Sequence, residues 1–134
     1  MIMKLELKHL APYLPYGLEI KTHLLTNANR IKVTAVLIHD QIEYYDEDSG
    51  YEIINFTDIK PILRPLSDLT KEIEHDGRRF VPANIMGYEK GQYYLMRKPT
   101  NYNMSYNNVT QLLEWHFDVF GLIDNGLAIN INEL

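Results

Sequence analysis

The chain has 134 residues, no cysteine and a formal net charge of −5. That length suits one domain spanning residues 1–134, and Leu, Ile, Val and Phe make up about 30% of it, enough for a folded core. A chain without cysteine has no disulfide, no thiolate-held zinc or iron–sulfur site and no thiol nucleophile.

The first residues, MIMKLELKHLAPYLPYG, lack the apolar run of a secretory signal. No window approaches ~18 consecutive apolar residues, so no membrane-spanning helix is expected. These features point to a soluble protein in the cytoplasm. Residues 17–25 alternate, with Leu18, Ile20 and Leu24 on one side and Glu19, Lys21 and His23 on the other. Period two predicts a half-buried strand. Asn27-Ala28-Asn29 is a turn signal, and residues 31–38 alternate again with Ile31, Val33, Ala35 and Leu37 on one face. His39-Asp40 turns the chain into two further short strands, 42–45 and 51–56. The residues between them, Asp46 to Gly50, favour a tight turn. Four strands with short connections predict an antiparallel meander that could curl into a small barrel.

Two prolines, Pro61 and Pro65, make residues 57–66 an extended crossing segment. Ser67 is placed to cap a short helix from Asp68 to Glu74, stopped by Asp76-Gly77. RRFVP (78–82) and QYYLMR (92–97) read as strands, punctuated by Gly87, Gly91 and Pro99. A longer helix is predicted over 106–120, with Val109, Leu112, Leu113, His116, Phe117 and Phe120 on one stripe and Gly121 as its stop. Asn125-Gly126 turns into a final strand, 127–131. The expected fold class is therefore α+β: a curved antiparallel sheet, a short central helix and a longer C-terminal helix packed on the sheet.

Motifs that carry chemistry are scarce. The five histidines, His9, His23, His39, His75 and His116, show no metal-ligand spacing. Asp46, Glu47 and Asp48, flanked by Glu43 and Glu52, fail the calcium-loop pattern, with Tyr51 and Thr57 where glycine and glutamate belong. They read as a solvated hairpin tip. On a regular helix Glu114 and Asp118 share a face while His116 points about 200° away. The three then cannot converge on one substrate. No serine lies in a nucleophile elbow, and no phosphate-cradling loop is present. No catalytic residue, metal ligand or cofactor is assigned, and an enzyme is not the favoured reading.

An acidic balance disfavours phosphate binding, which draws on Lys and Arg. The basic pairs are Arg78–Arg79 and Arg97–Lys98. Arg78 and Arg79, with Arg64 in its apolar stretch, are the candidates for an anion or nucleic-acid contact. For Arg64 the favoured reading is a guanidinium paired with an acid, with anion binding the alternative. Pro12 and Pro15 stiffen the backbone around Tyr13 and Tyr16, which suits either a lid over the sheet or a partner-binding patch. Trp115, the single tryptophan, lies off the helix stripe, either on a second packing face or as an exposed anchor. Tyr13, Tyr16 and Trp115 are thus the candidate partner-binding residues.

Three blocks carry a likeness to a family: residues 5–20 (LELKHLAPYLPYGLEI), 58–74 (DIKPILRPLSDLTKEIE) and 112–132 (LLEWHFDVFGLIDNGLAININ), about 40% of the chain. The strings KPILRPLSDLTKEI and WHFDVFGLI are the specific ones. In these blocks the chain resembles uncharacterised phage and prophage proteins of Bacteroidetes-type bacteria. Asp often stands there in place of Asn130, which argues against a catalytic role for that residue. The resemblance implies a mobile-element context in a bacterial host and no particular reaction. The expected function is a phage-encoded accessory protein that binds another protein, with self-association left open. The alternative is a nucleic-acid-associated factor of phage replication or regulation.

Overall fold

A computed structural model describes residues 3–25, 30–86 and 106–134. The expected turn at Asn27–Asn29 and the expected strand at 92–97 lie outside the described residues. Residues 7–10 form one helical turn, α1, and residues 11–16 continue as a 3-10 helix. Gly17 ends it at φ 73°, where a side chain is strained, and a Cβ there would sit 3.0 Å from Lys32 Cε. Strands β1 (Glu19–Thr22), β2 (Ile31–Leu37), β3 (Gln41–Asp46) and β4 (Gly50–Asn55) follow as the alternation predicts. A register shift at Thr34 lies between Val33 and Ala35, and the Thr34 hydroxyl donates to the Glu43 carbonyl at 3.0 Å.

The expected crossing segment is strand β5 (Ile59–Leu63). The sheet runs in the order β4-β3-β2-β1-β5-β8, where β8 is Ile129–Asn130. It is open at both ends and does not close into a barrel. It is also not wholly antiparallel, because β8 lies parallel to β5. Pro61 sits opposite Ile20, and β8 pairs only with Ile62 and Leu63, so no ladder donor is asked of the proline on that side.

Two helix expectations are overturned. Residues 66–70 form a 3-10 helix behind Pro65, without a cap from Ser67. The chain then enters β6 (Ile73–His75), turns, and returns as β7 (Arg78–Phe80). Asp76 and Gly77 have φ of 50° and 78°. Two positive φ angles in a two-residue turn match the hairpin twist, so Asp-Gly here joins strands instead of stopping a helix. Residues 82–85 form one further helical turn, α2. The C-terminal helix, α3, covers Tyr106–Glu114 and stops six residues short of the expected end. His116 adopts φ 63°, with its amide bonded to the Leu113 carbonyl and the Phe117 amide to the Leu112 carbonyl. This bond pair closes a helix at a left-handed residue, the place glycine usually holds. Histidine is among the side chains that tolerate that conformation.

The chain beyond α3 runs beside the end of β5. The Arg64 amide donates to the His116 carbonyl at 2.7 Å, and the Asp118 amide to the Arg64 carbonyl at 2.9 Å. The core lies between the sheet's inner face (Leu18, Ile20, Val33, Ile42, Ile54) and the residues laid over it (Leu10, Tyr13, Leu112, Phe117, Leu122). Among the described residues no helix is long and apolar enough to cross a membrane.

Candidate functional site

Two surfaces stand out, a polar cleft and the outer face of the β3–β4 hairpin. The cleft, of about 760 Å³, lies where the turn before β1, the β6–β7 hairpin and the end of α3 meet. Arg64 lines it while only 8% exposed. Its Nε donates to the Trp115 carbonyl at 3.1 Å, and its Nη2 to the Glu74 carbonyl at 2.6 Å. These bonds tie β5 to β6 and to the chain leaving α3. The expected pairing with an acid is therefore corrected: backbone carbonyls hold this guanidinium, one just past the end of α3 and one in β6. The nearby Asp68 carboxylate favours the charged form, but it is engaged by Lys71 at 3.6 Å and the Asn132 amide at 2.8 Å. Burial, the larger influence, lowers the Arg64 pKa.

His116 and His75 face one another across the cleft wall, rings perpendicular and centroids 5.1 Å apart. The His116 Nε2 reaches the Tyr16 carbonyl at 2.6 Å, so Nε2 carries the proton. Burial pulls the His116 pKa below its ordinary value, and the neighbouring His75 and Arg64 add to the effect. Burial likewise lowers His75, against the pull of Asp76. Both rings are neutral near pH 7.

The candidate partner-binding residues fall mostly inside. Tyr13 is 0% exposed; its hydroxyl donates to the Phe117 carbonyl and accepts from the Val119 amide. Pro12 and Pro15 thus brace a lid, the first of the two sequence readings. Trp115 is buried against Phe80, with ring centroids 4.9 Å apart, so it is a packing residue and not an exposed anchor. Only Tyr16 borders a surface, at the cleft. The three arginines do not form one patch. Arg79 pairs with Glu74 at 3.5 Å, and Arg78 lies over the Phe80 ring. Asp118, set opposite His116 in the helix reading, is a buried cap that accepts from the Leu122 and Ile123 amides. Among the described residues no group of His, Asp and Glu is arranged to hold a metal ion.

The hairpin face is the other surface. Tyr45 pairs with Tyr51 across the strands, rings edge to face at 5.2 Å, and Glu43 pairs with Ile53 beside them. Tyr45, Tyr51 and Ile53 are 56%, 67% and 54% exposed, while Ile42, Tyr44 and Ile54 on the other face are buried. Residues 41–55 hold five carboxylates, Glu43, Asp46, Glu47, Asp48 and Glu52, and no Lys or Arg. Asp46 Oδ1 accepts from the Asp48 and Ser49 amides at 2.8 and 3.2 Å and so orders the tip. Strand β4 is an edge of the sheet.

Sequence reasoning noted the acidic tip but not the three exposed apolar side chains behind it. The alternation carried that signal, since Tyr45, Tyr51 and Ile53 fall opposite the buried set. The His75–His116 pair had no local signal. No family model, no curated protein and no solved structure matches the chain.

Proposed function

We propose that this is a phage- or prophage-encoded accessory protein that works in the host cytoplasm by binding another protein through the outer face of the β3–β4 hairpin. One observation carries the reading: an edge hairpin exposes Tyr45, Tyr51 and Ile53 within a field of five carboxylates that no local cation offsets. Exposed aromatic and aliphatic side chains in a polar rim suit a protein interface. The negative rim selects the occupant. A partner with an apolar centre ringed by Lys and Arg is attracted, while a second copy of the same hairpin and a nucleic-acid backbone are repelled. The unpaired edge of β4 adds a backbone ladder for a partner strand. The mobile-element setting rests on the likeness of residues 5–20, 58–74 and 112–132 to phage proteins.

The test is a tagged capture from infected or lysogenic cells, after nuclease treatment, with the wild type beside Tyr51→Ala and Ile53→Lys. A protein held by the wild type, released as salt rises from about 50 to 500 mM, and lost from both variants is the expected result. A protein held equally by all three moves the interface elsewhere. Material that disappears with nuclease puts the nucleic-acid alternative first, with Arg78 and Arg79 as the next residues to change.

A further inference from the structure

The free edge of the β3–β4 hairpin divides its side chains by kind. Strand β4 ends the sheet and, among the described residues, pairs with β3 alone. Along it, Tyr51 and Ile53 point to the exposed outer side, while Glu52 and Ile54 point to the inner side. The register carries that division onto β3: Tyr45 lies opposite Tyr51, Tyr44 opposite Glu52, and Asp46 opposite Gly50. Residues directly opposite in an antiparallel pair share a side. Asp46 and Glu52 therefore flank Tyr44 on the inner side, near the tip. Burial raises the Tyr44 pKa, and both carboxylates add to the rise. The ion pairs among the described residues include none of the five hairpin carboxylates. The edge thus shows an apolar row outside and, near the tip, an acidic row inside.

We infer that β4 takes up an extended segment of the partner as an added antiparallel strand, with apolar residues opposite Tyr51 and Ile53 and lysine or arginine opposite Gly50 and Glu52. This rests on the hairpin being the interface, and it specifies the segment that enters there. An added strand satisfies the unpaired backbone groups of the edge, and its alternate side chains set the sequence. Aromatic against β-branched pairs and opposite charges across strands are stabilising, and antiparallel pairing is the more stable per residue. Running from Asn55 back to Gly50, the partner segment reads polar, apolar, apolar, basic, apolar, basic. A nucleic acid has no amide ladder to offer. A second β4 supplies no base opposite Gly50 or Glu52, since residues 41–55 hold no Lys or Arg.

The probe is the blocked peptide acetyl-Thr-Val-Val-Lys-Val-Lys-amide, beside a control with glutamate in place of both lysines. The readout is amide hydrogen exchange in β4, followed residue by residue by NMR. The edge-facing amides, one residue in two, exchange freely in the protein alone and become protected by the lysine peptide. That peptide binds about tenfold tighter than the control, because two charge pairs turn from attraction to repulsion. Glu52→Gln, at a half-buried position, weakens it about threefold. Binding that moves the Tyr45, Tyr51 and Ile53 side chains yet protects no β4 amide overturns strand addition and leaves the hairpin face as the interface. A control that binds as well, a lysine peptide that protects nothing, or a Glu52→Gln protein that binds it undiminished also overturns the inference. So does a β4 whose amides are all protected before peptide is added. Equal capture of the cellular partner by the wild type, Tyr51→Ala and Ile53→Lys removes the interface itself, so the two failures are distinct.

Discussion

The seam where β5 meets the chain leaving α3 and the β3–β4 hairpin solve opposite problems. In the seam, polar side chains are buried and backbone groups satisfy them. Arg64 serves two carbonyls, Tyr13 a carbonyl and an amide, and Asp118 two amides. Among the described residues no buried side-chain nitrogen or oxygen lacks a partner. In the hairpin, apolar side chains are exposed and carboxylates surround them. The seam spends polarity on holding distant chain ends together, so changes there act on stability. The hairpin's inner side chains, Ile42, Tyr44 and Ile54, share the core, but its outer ones are exposed, so changes on the outer face act on whatever touches it.

Asp118→Ala is the severest test of that contrast. It strips the Leu122 and Ile123 amides of their acceptor, and the loss expected in urea unfolding is about 3 kcal/mol. A loss below about 1 kcal/mol means water replaces the carboxylate and the seam is wetter than its burial indicates. Tyr13→Phe keeps the packed ring and removes one hydroxyl from two backbone partners. It is expected to cost about 1.5 kcal/mol, and an unchanged midpoint would place Tyr13 outside the seam's polar network.

Acid distinguishes the regions without mutation. Burial holds the pKa values of His9, His75 and His116 below their ordinary 6.5. The unfolded chain therefore binds more protons than the folded one as pH falls. The stability these rings contribute is complete above about pH 6.5 and is lost as pH drops through their lowered folded values. Unfolding midpoints measured from about pH 7.5 down to about pH 5 should fall. A flat profile means that the three rings are not held neutral.

At the end of α3, His116→Gly should be more stable than His116→Ala by about 1 kcal/mol, because both lose the bond to Tyr16 and only alanine resists a left-handed backbone. Equal stabilities would show that the chain turns there by another geometry. The smallest effect belongs to the hairpin. Tyr51→Ala and Ile53→Lys should shift stability by no more than about 0.5 kcal/mol while abolishing capture. A large loss of stability in either would make that face part of the core.

The contrast also marks what could be read in advance. Strands β1 to β4 were legible because their period-two patterns and turn residues act over a few positions, and Asp46 orders a tip only two and three residues on. The helix expected from Asp68 failed for a local reason. The run IEHDGRRF holds Asp-Gly between two short strands, and that dipeptide serves a hairpin as readily as a helix end. The end of α3 failed for a subtler one. Val109 to Phe120 keep helical spacing on paper, yet His116 takes the left-handed conformation usually left to glycine.

Composition and alternation alone therefore determined the fold class, the four-strand meander and the acidic character of its tip, since these depend on neighbours within a strand or a turn. The parallel seating of β8 on β5, the burial of Tyr13, Trp115 and Arg64, and the meeting of His75 with His116 were decided only in three dimensions. Their partners lie far along the chain: 104 residues from Tyr13 to Phe117, 100 from Tyr16 to His116 and 51 from Arg64 to Trp115. A local pattern records which side chains prefer the interior. Which backbone groups meet them there depends on how distant segments pack, and that packing also decides where a cleft can hold a charge.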